Sequence, residues 1–288
     1  MHYAILANPC AGRLPIDRKR ILLSRAATHL NASVHGLDIT TRTDFMRCAR
    51  ELTSRCDVLV VAGGDGTVSD VINAIDTGCH PIAYLPIGTG NALSYALHMQ
   101  RSIVDAAQQI RNGSIHAYDL ISIDGRARAF MTSVGIDSTI LKQIKQRCST
   151  GHTGLPAYFL AAWTAYFRAY QRPRASIKTD HAQLEVPNLL SLMVLKQPYY
   201  GFGMRVMPEA CFDDALLHLR CIEAKLFSLL FSGFAAFTIG NRAGRYLAAQ
   251  QVTVRVDRSV ALQIDGNIGW QADRFRFTVL PQALKIKF

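Results

Sequence analysis

At 288 residues, with 49% apolar and 18% charged side chains and no repetitive or long polar tract, the chain is neither disordered nor repeat-built. Its size is that of one large or two smaller globular domains, and two is the preferred reading. The net charge of +11 belongs to one half: residues 1–122 carry 11 Lys and Arg against 10 Asp and Glu, while residues 123–288 carry 21 against 11. Such a field draws polyanions, whether an anionic leaflet, a phosphorylated substrate or nucleic acid.

The seven cysteines, at 10, 48, 56, 79, 148, 211 and 221, form no Cys-x-x-Cys pair and no zinc spacing, which points to a reducing cytoplasm. Met1-His2-Tyr3-Ala4-Ile5-Leu6 enters a strand pattern at once and lacks the basic and apolar zones of a signal peptide. The longest apolar-rich stretch, residues 226–239, is too short to span a bilayer, so any membrane contact is expected to be peripheral.

The first 113 residues alternate short apolar runs with helix-like stretches: 3–7, 17–30, 34–40, 45–54, 58–62, 68–77 and 82–85. Parallel neighbours need a crossover of helical length, so this order predicts an open parallel sheet covered by helices. Val58-Leu59-Val60-Val61 and Ile82-Ala83-Tyr84-Leu85 lack alternation, as strands buried on both faces do. After about residue 115 the pattern turns to strands at 120–123, 129–134, 189–195, 216–222, 252–256, 260–264 and 275–280, which predict an antiparallel, β-rich second domain. Helical segments interrupt it at 155–170 and 225–240. The first carries Tyr158, Phe159, Trp163, Tyr166, Phe167 and Tyr170, with Arg168, Arg172 and Arg174 beside them. Core packing is the leading reading of those rings, and a lipid-facing aromatic edge is the alternative.

Three glycine-bearing turns each follow a predicted strand of the first domain: Asn8-Pro9-Cys10-Ala11-Gly12, Gly63-Gly64-Asp65-Gly66-Thr67 and Pro86-Ile87-Gly88-Thr89-Gly90-Asn91. Carboxyl ends of neighbouring strands form the ligand crevice of an open α/β sheet, so the turns are expected to converge. Glycines admit phosphate oxygens close to the backbone, and the amides opening a helix after Thr67 add donors and a favourable dipole. An aspartate among them repels phosphate on charge alone, and makes sense if Asp65 faces a magnesium ion. Asp265-Gly266-Asn267 reads both as a hairpin turn and as a carboxylate projecting from a strand end toward a cleft.

Gly63-Gly64-Asp65-Gly66-Thr67 resembles the signature of the diacylglycerol, sphingosine and NAD kinase superfamily, and Pro86-Ile87-Gly88-Thr89-Gly90-Asn91 resembles its lipid-kinase branch. Asn91-Ala92-Leu93 is similar to sphingosine-kinase-like members. The resemblance continues through Tyr118-Asp119-Leu120, Gly154-Leu155-Pro156-Ala157-Tyr158, Pro208-Glu209-Ala210, Asp213-Asp214, Asp265-Gly266 and Leu280-Pro281-Gln282-Ala283-Leu284. It covers the whole chain, which is similar to the bacterial soluble diacylglycerol kinases and YegS-type lipid kinases.

The resemblance implies an α/β plus β fold: a Rossmann-like ATP-binding domain over 1–122, then an antiparallel β-sandwich-like domain over 123–280, with 281–288 returning to the first. It implies transfer of phosphate from ATP, with Mg, to the hydroxyl of a membrane lipid of diacylglycerol or sphingoid type. Asn8, Gly12, Arg13, Thr40, Gly63, Gly64, Asp65, Gly66, Thr67, Gly88, Thr89 and Asn91 would hold ATP. Asp65 and Asp119 would belong to the acidic network around magnesium, Asp214 with the backbones of Cys211 and Leu216 to a second, structural metal site, and Asp265 would be the general base. Arg13 stands where these kinases often carry lysine, and it or one of Lys142, Lys145 and Arg147 would neutralise the transferring phosphate. The expected partners are the lipid and an anionic membrane surface rather than nucleic acid, with the oligomeric state open and a homodimer among the options.

The chain departs from the family pattern at Ala92, where many bacterial members have aspartate, at Ser69-Asp70 in place of Asn-Glu, and at Asn267 in place of glutamate. Two other readings follow: an NAD kinase-type enzyme, which shares the Gly-Gly-Asp-Gly-Thr turn, and a non-catalytic regulator that binds nucleotide or lipid.

Overall fold

The computed structural model describes residues 1–99, 102–148, 155–224 and 235–288, so most of the helix expected over 225–240 lies outside the described residues. The chain divides into two compact units: Met1–Leu120 with Tyr200–Gly203 and Pro281–Phe288, and Ile121–Tyr199 with Met204–Leu280.

In the first unit, strands β1 (Tyr3–Ala7), β2 (Ser33–His35), β3 (Val58–Gly63) and β4 (Ile82–Pro86) alternate with helices α1 (Ile16–Leu30), α2 (Arg42–Thr53), α3 (Asp65–Ala74), α4 (Ala92–Ala96) and α5 (Ile103–Asn112). The strands run parallel in the order β2-β1-β3-β4. Every residue of β1 and β3 is buried, which is why their sequences are apolar without alternation. Each helix turns an apolar stripe inward: α1 buries Leu23, Ala26, Ala27 and Leu30, and α2 buries Phe45, Ala49 and Leu52. Thr41, accepting from the Asp44 amide, starts α2, and Asn31 in the left-handed region ends α1.

The second unit is built from the end of β5 (Ile115–Ile123), then β6 (Ala127–Ala129), β7 (Met131–Gly135), α6 (Ile136–Cys148), α7 (Leu155–Thr164), β8 (Ala175–Thr179), β9 (Gln183–Val186), β10 (Leu189–Leu195), β11 (Leu217–Glu223), β12 (Arg245–Ala249), β13 (Gln251–Ile264) and most of β14 (Asn267–Lys287). Its ladders are antiparallel, in the order β12-β11-β10-β7-β13-β14. The strands expected at 252–256 and 260–264 are one bent strand. The first part of β13 pairs with β8 and its last part with β7, and the register with β14 slips between Arg255 and Val260. That irregularity lets one strand serve two ladders. Alternate residues, among them Leu192, Val194, Leu217, Leu219, Val252, Val254, Phe275 and Phe277, form the core.

Strand β14 ends in the first unit, where Ile286 pairs in parallel with Ile82 of β4. Thr77 fixes the approach, its hydroxyl donating to Ala283 O (2.7 Å) and its carbonyl accepting from the Lys285 amide (2.7 Å).

Candidate active site

The turns after β1, β3 and β4 pack against one another by backbone. Ile87 and Gly88 both donate to Gly63 O (3.0 Å each), joining the turns that follow β3 and β4. A β-carbon at Gly88 would stand 2.4 Å from Gly64 Cα, and one at Gly12, whose φ is +67°, would stand 2.1 Å from Ile87 O. These glycines are therefore required by loop-to-loop contact, a reason additional to phosphate approach. Asn8 links the first two turns, its Nδ2 donating to Thr67 Oγ1 (2.9 Å) while its Oδ1 accepts from the Cys10 amide (2.9 Å).

Asp65 supplies the strongest tie. Its Oδ2 accepts from Ala92 N (2.9 Å) and its Oδ1 from Leu93 N (3.0 Å), so the carboxylate caps α4. The charge that looked misplaced among glycines is matched by two amides. Burial raises the Asp65 pKa above the ordinary aspartate value, and the amides of Leu93, Ala92 and Asp65 itself work against that rise. Because Ala92 contributes its backbone N–H, the absence of an aspartate side chain at that position leaves this bond intact. Asn91, left-handed at φ 48°, donates to Gly88 O (3.0 Å) and accepts from the hydroxyl of Tyr84 (3.0 Å).

The other expected positions of this unit differ in setting. Arg13, Thr40 and Thr89 are exposed, and Gly64, Gly66 and Asn91 are half-buried. Asp119 is buried and accepts from the Gln282 amide (3.0 Å), which joins β5 to the returning segment. Among the described residues, no three His, Cys, Asp or Glu side chains form a metal-binding group. Magnesium bound with a nucleotide needs only one or two carboxylates beside phosphates and water, and each Asp65 oxygen, accepting one amide of α4, has a second acceptor position, so the chemistry of this donor fits.

Three participants were missed. Lys19 of α1 is buried and donates from Nζ to Pro9 O inside the first turn, with its pKa lowered by burial. In sequence it hides in the run Arg18-Lys19-Arg20, which reads as a solvated face. Tyr84 looked like strand filler. The segment Tyr200–Gly203 belongs to this unit although it lies far along the chain, and Phe202 N donates to Gly90 O (2.8 Å). The signal for it was Gly201-Phe202-Gly203, a glycine-flanked aromatic.

In the second unit Asp265 does occupy a hairpin turn. With φ values of 44° and 79°, Asp265 and Gly266 form the two-residue connection between Ile264 and Asn267, paired across the turn. The turn is also a buried one: Asp265 is 0% exposed, its Oδ1 accepts from the amides of Phe130 (3.1 Å) and Met131 (2.9 Å), and its own amide donates to Met131 O (3.0 Å). Asp214 meets a cation of the chain itself. Lys196 Nζ lies 2.7 Å from Asp214 Oδ1 and 2.6 Å from Leu216 O, and His218 Nε2 lies 2.9 Å from Asp214 Oδ2. Burial raises the Asp214 pKa, but the hydrogen bond from Lys196, with His218 and the Leu216 amide, outweighs it and holds the carboxyl below the ordinary range. The Cys211 amide approaches His218 Nε2 (3.2 Å), and its thiol donates to Asp213 (3.0 Å). Lys142 is exposed, and the side chains of Lys145 and Arg147 lie outside the described residues. The described apolar side chains of the segment after α6 divide: Tyr166 is buried and Tyr170 donates to Leu189 O (2.9 Å), whereas Leu160, Trp163 and Phe167 are 49%, 55% and 49% exposed, and the side chains of Tyr158 and Phe159 lie outside the described residues.

Comparison with known proteins agrees with this architecture. Residues 2–123 match the diacylglycerol kinase catalytic domain, and residues 131–288 match the YegS C-terminal NAD kinase beta sandwich-like domain. A diacylglycerol kinase of Bacillus subtilis (strain 168) is 23% identical over 275 residues, covering 92% of this chain and 89% of its own. The "Probable lipid kinase YegS-like" of Pseudomonas fluorescens is 25% identical over 299 residues, covering 94% and 95%. Among solved structures, a diacylglycerol kinase from Bacillus anthracis str. Sterne superimposes with a TM-score of 0.75 at 17% identity, over 100% of this chain and 96% of that one. An NAD kinase from Archaeoglobus fulgidus, solved in complex with ATP, follows more distantly, with a TM-score of 0.52 at 11% identity over 100% and 94%. With the two domain matches spanning nearly its full length, the chain belongs to the diacylglycerol kinase catalytic-domain family and carries that family's YegS-type C-terminal domain.

Proposed function

We propose that this protein transfers the γ-phosphoryl group of ATP to the hydroxyl of a membrane lipid, of diacylglycerol or sphingoid type. The observation that carries the reading is the joined set of turns after β1, β3 and β4, a rigid backbone cradle at the strand ends where an open α/β sheet binds its ligand. Phosphoryl transfer asks the protein chiefly for positioning and charge stabilisation. Asn8, Gly12, Gly63, Gly64, Gly66, Thr67, Gly88, Thr89 and Asn91 present the cradle to the triphosphate, with Arg13 and Thr40 at its exposed margin. Asp65 and Asp119 are the carboxylates that would hold a magnesium ion, which would supply neutralisation of phosphate charge when bound. Asp265 takes the proton of the attacking hydroxyl. The amides of Phe130 and Met131 grip one of its oxygens and so fix the direction of the other.

The test is transfer of labelled phosphate from ATP to a total lipid extract, with NAD offered in the same reaction. A labelled lipid is expected, and Asp265→Asn is expected to lower the rate by about 10²–10⁴-fold. Equal labelling by both proteins removes Asp265 from the chemistry. Label on NAD instead would make the molecule an NAD kinase, and ATP binding with no transfer to any acceptor would make it a regulator.

The protein also docks on an anionic membrane, in this reading. Leu160, Trp163 and Phe167 follow helical spacing, the Trp163 and Phe167 rings meet at 4.5 Å, and Arg168, Arg172 and Arg174 are exposed nearby. Trp163→Ser with Phe167→Ser should weaken binding to anionic vesicles, and turnover on such vesicles should fall as salt rises. Turnover indifferent to ionic strength would remove the docking.

A further inference from the structure

The loop of residues 211–216 has the form of a cation site. Ala215 is held at φ 56°, in the left-handed region that a non-glycine residue seldom occupies, and Leu216 N donates to Asp214 Oδ1 (3.1 Å). The bend brings a carboxylate oxygen of Asp214 and the carbonyl of Leu216 toward one point. Two oxygens converging on one point, one of them charged, favour a positive group between them. The family resemblance supplies one in the form of a structural metal on Asp214, Leu216 and Cys211.

The chain places Lys196 at that point. This side chain is 0% exposed and enters from the end of β10, where its own amide donates to Phe130 O (2.9 Å). Its Nζ is 2.7 Å from Asp214 Oδ1 and 2.6 Å from Leu216 O, the two oxygens a metal would share. Magnesium needs contacts of about 2.0–2.1 Å and calcium of about 2.3–2.6 Å. An ion so close to both oxygens would collide with the ammonium already bonded to them, and the two positive charges would repel. Asp214 also has its counter-charge without a metal, since the Lys196 ammonium answers its carboxylate. The residues therefore do not fit a divalent ion here.

We propose that Lys196 is a built-in replacement for the structural metal, so that the second unit holds its 211–216 loop without any divalent ion. The inference is independent of the lipid-kinase reading, because it concerns folding and metal binding and not turnover.

The experiment uses the full chain without nucleotide, with Mn²⁺ as a paramagnetic probe and thermal unfolding as a second readout. Wild type should melt within about 1 °C of the same temperature in chelator, in Mg²⁺ and in Ca²⁺, and its Mn²⁺ binding should match that of Asp214→Asn. Lys196→Met should melt lower and recover by roughly 5 °C with Mn²⁺ or Ca²⁺ near a hundredfold excess over its Kd, a rise that adding Asp214→Asn abolishes. Mn²⁺ binding by wild type that is lost in Asp214→Asn, or a wild-type melting point lowered by chelation, would overturn the proposal. So would a folded Lys196→Met that ignores metal. If Lys196→Met does not fold under any condition, the wild-type arms decide alone.

Discussion

Lys19 in the first unit and Lys196 in the second are both buried lysines, 3% and 0% exposed, and their surroundings differ in one respect. Lys196 meets the carboxylate of Asp214, whereas Lys19 donates to the neutral carbonyl of Pro9 within the first glycine turn. A buried charge with a partner of opposite sign is a structural element. A buried charge whose hydrogen bond goes to a neutral dipole is costly to keep, and burial lowers its pKa accordingly. The contrast suggests that Lys19 keeps its charge for an anion that arrives from outside, beneath the loop assigned here to the triphosphate.

Breaking the compensated pair should have the largest effect. Asp214→Ala leaves the Lys196 ammonium buried without its counter-charge and should lower unfolding stability by about 3–5 kcal/mol in denaturant titration. A loss below about 1 kcal/mol would mean that Asp214 is not the group holding that charge. Lys19→Met should do the reverse, changing stability by less than about 1 kcal/mol because a desolvated charge leaves with the hydrogen bond. In the kinase assay it should raise the KM for ATP roughly tenfold, equivalent to about 1.4 kcal/mol. An unchanged KM would make Lys19 a purely architectural residue.

The smallest effect is a tilt with pH. Burial holds the folded pKa of Lys19 below the ordinary lysine value, so the charged form is the one that folding disfavours. Its cost to stability is complete below the folded pKa and is relieved as pH rises from that value toward the unfolded one. Wild type should therefore gain stability relative to Lys19→Met across the alkaline range, measured as the difference of their denaturant midpoints. A difference that stays flat with pH would show that the ammonium is not desolvated.

Sequence reading reached the features that are local. Unalternated runs such as Val58–Val61 identify strands buried on both faces, glycine turns after three of them identify the strand ends, and alternation in the second half identifies a sheet with one inner face. What it missed depends on pairs far apart in the chain. Nothing in Lys196 announces Asp214, and nothing in Gly201-Phe202-Gly203 announces Gly90, because periodicity tells which face a residue occupies and not what lies opposite. Lys19 was hidden for a related reason: a basic run on a helix gives no sign of which member turns inward. Asp265 shows a different limit: the hairpin turn was legible in Asp265-Gly266-Asn267, but nothing in those residues announces that the turn is buried.

Strand β14 has a bearing on how the molecule is made. Residues 2–123 contain nearly all of the first unit, yet Ile286 is the neighbour of Ile82 and Ala283 is anchored on Thr77. On the ribosome, the sheet of residues 3–86 emerges early but must wait for residues 281–288 before β4 gains its remaining partner. Synthesis of the β-rich unit therefore falls between that of β1–β4 and that of the segment which pairs with β4.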